Sequence, residues 1–140
     1  MSIAIYPALV FTVALLVTTA YFLMGGLPLL VLDHDTSLDA RFIRGFFNIY
    51  YKAAFVTSIG ASISFAALWR PSFSFGAAAL ALAVLLLRSR LLPAMDQLGA
   101  QIQTSGSAAI RKFRQVHSLA LLINLLQFIL LVWALLQFSF

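Results

Sequence analysis

Apolar residues fill four long stretches of this chain, and short polar clusters separate them. No charged residue occurs from Ile3 to Leu32, which predicts a first helix over about 3–30, loosened in its last turn by Gly25-Gly26-Leu27-Pro28. The polar run Asp33-His34-Asp35-Thr36 ends it. Ser37 is the expected N-cap of a second helix over about 38–69, whose first turns carry Asp39, Arg41, Arg44, Asn48 and Lys52 before the pattern turns apolar. Arg70-Pro71-Ser72 reads as a short turn, so a third helix over about 73–103 returns antiparallel to the second, with a kink expected at Pro93. Beyond that proline, Met95, Leu98 and Ile102 keep a helical spacing among Asp96, Gln97, Gln101 and Gln103. Thr104-Ser105-Gly106-Ser107 breaks the pattern, and Ser107 can cap a fourth helix over about 108–137.

Composition turns four helices into a membrane architecture. Of 140 residues, 63% are hydrophobic and only 9% charged, and the mean hydropathy is +1.02. A water-soluble domain of this size has no interior large enough for that much apolar surface, whereas about 20 apolar residues suffice to cross a hydrocarbon core. The fold expected is therefore all-α: a single integral membrane domain, a four-helix transmembrane bundle. No Lys or Arg precedes the first apolar stretch and no small-x-small site closes it, so it reads as a retained helix rather than a signal peptide. The absence of cysteine excludes disulfides, thiolate metal sites and thiol nucleophiles.

The net charge of +5 does not point to nucleic acid, because the cations sit at the ends of apolar segments. Arg41, Arg44, Lys52, Arg88, Arg90, Arg111, Lys112 and Arg114 fall on one side of the bundle and Arg70 alone on the other, eight of the nine basic residues against one. The positive-inside rule assigns the larger group to the cytoplasm. Both termini are then outside, helices 2 and 4 extend beyond the membrane on the cytoplasmic side, and Trp69 and Trp133 lie near the outer interface. The expected location is the plasma membrane, a bacterial inner membrane.

Along the fourth helix His117, Asn124 and Gln127 follow at spacings of seven and three, forming one stripe with Phe113 and Ala120. Amides in hydrocarbon are costly unless hydrogen-bonded, so the stripe faces the bundle interior, either as interhelical glue with Thr12, Thr18 or Thr19, or as a ligand site. His34 and Asp33, in the first loop, are at the same end as His117. These five residues, His117, Asn124, Gln127, His34 and Asp33, form the candidate ligand site. Asp33, Asp35, Asp39 and Asp96 add hard ligands, but neither histidine belongs to a metal-spaced motif, so no metal and no cofactor is expected. Asp33, Asp35 and Asp39 read as solvated partners of Arg41 and Arg44, with no nucleophile elbow or phosphate-cradling loop beside them. Arg111, Lys112 and Arg114 are candidates for binding anionic headgroups. Phe42, Phe46, Phe47, Tyr50 and Tyr51 read as an interfacial aromatic belt. Thr57, Gly60, Ala61 and Ser64 read as a close-packing face.

Phe113-Arg114-Gln115-Val116-His117-Ser118, followed by Asn124, resembles the transmembrane protein 205-like family of small four-helix membrane proteins. Arg88-Ser89-Arg90-Leu91-Leu92-Pro93 looks like that family's exit from helix 3, and Phe46-Phe47-Asn48-Ile49-Tyr50 extends the likeness to the first half. The resemblance implies a four-helix fold and draws attention to His117 and Asn124. The family's serines a turn after the histidine are replaced here by Ala120 and Leu121. A looser similarity in size and helix count exists to the anthrone-oxygenase-like membrane proteins, without residue-by-residue correspondence.

The function expected is a non-enzymatic accessory or a lipid- or protein-binding membrane component. Its partners would be membrane lipids and a larger membrane-protein complex or further copies of the chain, with no nucleic acid. One alternative is a membrane-embedded oxidoreductase or oxygenase acting on a lipophilic substrate, with His117 as acid or base. Another is a small transporter along the helix 4 stripe, which the almost wholly apolar stretch outward of Gln127 disfavours.

Overall fold

The computed structural model describes residue 3 and residues 5–137. Four helices account for nearly all of them: α1 (Ile5–Leu29), α2 (Ser37–Ala67), α3 (Pro71–Ser105) and α4 (Ser107–Gln137). The expected start of the first helix near residue 3 takes in Ala4, which lies outside the described residues. Packing runs α1 on α2, α2 on α3, α3 on α4 and α4 back on α1, a closed ring of sequential neighbours. Short connections dictate that order, because a chain leaving one helix has only a few residues in which to enter the next.

Two caps differ from expectation. Thr36 rather than Ser37 caps α2: its backbone is extended (φ −112°, ψ 147°), and its hydroxyl accepts from the Asp39 N–H at 3.2 Å. At α4, Gly106 (φ 52°) forms the whole connection from α3 and its carbonyl accepts from the Ile110 N–H, so Ser107 is already helical. α3 begins with Pro71 in its first turn, where the missing N–H is not needed, and continues unbroken through Pro93 to Ser105.

α1, α3 and α4 are long and apolar enough to cross a membrane. Large apolar side chains also cover the outside of the bundle, among them Val17, Leu86, Leu126 and Leu130. α2 carries four charged residues, Asp39, Arg41, Arg44 and Lys52, and is amphipathic in an unusual sense. Phe47, Tyr50, Ala54, Ser58, Ala61 and Phe65 are buried on one face, while Phe42, Ile49, Val56 and Ile63 are exposed at intervals of seven on the other.

The main core is aromatic where α1 meets α2. Phe22 stacks on Tyr50 at 4.0 Å and on Phe46 at 4.9 Å, and meets the edge of Phe47 at 4.7 Å. The expected interfacial belt is thus largely a core. Phe47, Tyr50 and Tyr51 are buried and Phe42 faces outward, because the helical phase carries residues 47 and 50 toward α1 and α4. Close approach at the opposite end depends on Gly60, where an added Cβ would lie 2.5 Å from the Phe11 ring.

Candidate functional site

Three polar features occupy successive levels of the bundle. At the end holding the α1–α2 connection, His34 and His117 are fully buried, with His34 Nε2 3.3 Å from His117 Nδ1. One ring donates and the other accepts, according to tautomer. Phe113 lies 5.7 Å from His34, and Phe47 meets His117 edge to face at 5.3 Å. His34 reaches this position with a left-handed backbone (φ 58°), and Arg114 Nη2 donates to the Leu32 carbonyl at 3.0 Å, tying the same connection to α4. Burial lowers the pKa of His34 below its ordinary value. The Arg114 charge acts the same way, against the Leu32 carbonyl, Asp39 and Asp33.

The remaining site residues do not all join this pair. Asp33 is exposed and outside it, as are Arg111 and Lys112. Arg44 pairs with Asp96 of α3 at 2.9 Å rather than with the aspartates of the first loop, which corrects the expected pairing. Beside that ion pair Arg88 Nε donates to Asn48 Oδ1 at 3.2 Å, and Arg44, Arg88, Pro93 and Asp96 line a surface groove of about 450 Å³. Among the described residues no group of three or more metal-ligating side chains comes together.

Two turns further along α4, the Tyr50 hydroxyl donates to Asn124 Oδ1 at 2.6 Å, with both residues buried. Thr19 and Gln127 lie beside the same hydroxyl, and Thr19 Oγ1 itself donates to the Leu15 carbonyl. α1, α2 and α4 therefore meet in one polar layer. Asn124 Nδ2 in this layer, and Ser58 Oγ two turns beyond Tyr50 on α2, are buried without a hydrogen-bond partner. Tyr50 was not among the candidates. The signal available was that Tyr50 follows Phe47 and precedes Ala54 on the buried phase of α2.

Gln127 also belongs to the third feature, a cavity of about 560 Å³ walled by all four helices. Leu15, Ala61, Gly76, Ala83 and Leu131 make its sides apolar, and Trp133 and Gln137 mark its far end. Ten residues of α4 separate Gln127 from Gln137, a rise of about 15 Å. The same rise of about 15 Å separates Gln127 from His117 in the opposite direction, and neither histidine lines the cavity or the groove. No protein-family model matches the chain, and neither a curated protein nor a solved structure matches it.

Proposed function

We propose that this chain is a four-span protein of the plasma membrane that takes up a lipophilic molecule between its helices, a lipid-binding component rather than a catalyst. The observation that carries the reading is the cavity: about 560 Å³ with mainly apolar walls contributed by all four helices. That volume falls in the range of sites for drug-sized ligands, about 300–1,000 Å³. Reading α2 as a fourth span rests on its outward stripe Phe42, Ile49, Val56 and Ile63. Its charged residues, Asp39, Arg41, Arg44 and Lys52, lie no further along it than Lys52, and Tyr50, Tyr51, Ser58 and Ser64 point inward without meeting lipid. Four spans put both termini on one side, and the eight-to-one distribution of basic residues favours the outside for them.

An oxidoreductase using His117 finds less support. Its imidazole bonds His34 in a sealed pocket, about 15 Å of helix away from the cavity's inner end.

Native mass spectrometry of the chain purified in mild detergent tests the reading. Wild type is expected to retain a lipophile near one per chain. Gly76→Phe should lose it while staying folded, since a Cβ added at Gly76 meets no atom within 4 Å and Gly76 lines the cavity. Equal retention by both proteins, or none by wild type, would refute it.

A further inference from the structure

We infer that the groove between α2 and α3 binds the phosphate of an anionic phospholipid and that the guanidinium of Arg88 holds it. This site is separate from the cavity and does not depend on what the cavity takes up. Arg44, Arg88, Ser89, Pro93, Asp96 and Gln97 line its space of about 450 Å³. The two arginines differ in their partners. Arg44 is neutralised by Asp96 at 2.9 Å, the one ion pair among the described residues. Arg88 is half-buried, and its Nε donates to the neutral Asn48 Oδ1 at 3.2 Å, so the side chain is held in place without a counter-charge. No acid is free to supply one. Asp33, Asp35 and Asp39 belong to the first loop and the first turn of α2, and Asp96 lies eight residues further along α3, a rise of about 12 Å. A cation partly withdrawn from water is costly without a counter-ion, and a guanidinium fixed at Nε still offers its terminal nitrogens as a fork that matches phosphate oxygens.

The surroundings select a lipid rather than a soluble phosphate. Arg41, Arg44, Asn48 and Lys52 recur at intervals of three and four along one face of α2, so four cations, Arg88 included, face a single acid at this seam. Toward the middle of the bundle the same seam becomes apolar. Ile59 and Ile63 continue the face of Asn48 and Lys52, Leu82 and Leu85 continue the face of Ser89 and Asp96, and all four are exposed. A phosphate seated on Arg88 therefore has acyl chains' worth of apolar surface running inward from it, the arrangement of a headgroup pocket between membrane helices. Arg111, Lys112 and Arg114 offer no such groove: the first two are exposed, and Arg114 is committed to the Leu32 carbonyl.

Native mass spectrometry of the full chain in mild detergent tests the inference with dioleoylphosphatidylglycerol and dioleoylphosphatidylcholine, which share their acyl chains, and with glycerol phosphate as the soluble competitor. Wild type is expected to bind phosphatidylglycerol about tenfold more tightly than phosphatidylcholine, the worth of one charge-assisted hydrogen bond, and equimolar glycerol phosphate should not displace it. Arg88→Gln should lose that preference. Arg90→Gln removes the same charge from the same helix outside the groove and should keep it. Arg88→Lys, which keeps the charge without the fork, should fall between the two. Gly76→Phe, which fills the cavity, should leave the preference intact, and its loss there would overturn the inference by moving the lipid to the cavity. No preference in wild type would overturn it as well. So would equal losses in Arg88→Gln and Arg90→Gln, since the arginines would then act as bulk surface charge. Displacement by equimolar glycerol phosphate would refute the assignment to a lipid. If Arg88→Gln does not fold, Arg88→Lys is compared with Arg90→Gln instead, and a preference as strong in the first as in the second would overturn the inference.

Discussion

The hydrogen bond from Tyr50 to Asn124 joins diagonal helices of the bundle, so Tyr50→Phe isolates one polar link between α2 and α4. The bond is 2.6 Å long and both residues are more than nine-tenths buried. Phenylalanine keeps the stacking on Phe22 at 4.0 Å, so the perturbation is confined to the hydroxyl. Its loss leaves Asn124 Oδ1 without its donor, in a side chain whose Nδ2 already has no partner. A net hydrogen bond is worth about 0.5–1.5 kcal/mol, and interhelical bonds within membranes average about 0.6 and reach about 1.7 kcal/mol. The added desolvation of an orphaned oxygen brings the expected cost of Tyr50→Phe to about 1–2 kcal/mol. Asn124→Leu strands the tyrosine hydroxyl instead, and the double variant strands neither. Unfolding in mixed micelles, followed by circular dichroism, should therefore give a coupling of about 1 kcal/mol across the cycle. Additivity within about 0.3 kcal/mol would refute the argument, since it would mean that the two groups find other partners when separated.

His34 makes the fold sensitive to acid. Its folded-state pKa is lowered by burial, so the unfolded chain takes up a proton first as pH falls; the stability His34 contributes is complete above its ordinary value of 6.5 and declines below it. The detergent melting temperature should fall between pH 7.5 and 5 more steeply in wild type than in His34→Gln, and parallel curves would exclude this role. Topology is accessible through single cysteines at Ser37, Ser72 and Ser105 in this cysteine-free chain. An impermeant thiol reagent on intact cells should label the Ser72→Cys variant alone. Labelling at 37 and 105 instead would invert the orientation, and labelling at both 37 and 72 would show that α2 does not cross.

The helices were legible because their ends are written in residue types that membranes and helices both reject. Asp33 to Thr36, Arg70-Pro71 and Gly106 separate the four apolar runs, and the observed boundaries lie within about two residues of those expected. The α4 stripe was legible for a related reason: His117, Asn124 and Gln127 repeat with the helix, and the structure buries all three. On α2, position along the chain groups the aromatics into a belt, whereas their phase around the helix decides which of them are buried. Residues 47, 50, 54, 58, 61 and 65 share one face, while 42, 49, 56 and 63 share the opposite one. The cap at Thr36 was ambiguous because Ser37 beside it offers the same hydroxyl, and only the extended backbone at 36 selects between them.

The cavity could not be read in this way, because a void depends on volumes that distant segments fail to supply. A small residue carries two opposite meanings until its neighbour is known. Gly60 faces the Phe11 ring, which comes so close that a methyl group would collide, so the missing side chain there becomes tight packing. Gly76 faces nothing within 4 Å, and Ala61, Ala79, Ala83 and Ala134 line the same space from three helices. Small residues opposite small residues leave a volume that none of them closes. Helical periodicity reports which face a residue occupies and not how far the facing side chain reaches, so Gly60 and Gly76 look alike in the sequence. What distinguishes the second is Gln127 at the inner end of the same space. An apolar void alone can be a packing defect, but one that ends on a polar side chain has both a shape and a polar group to offer a ligand.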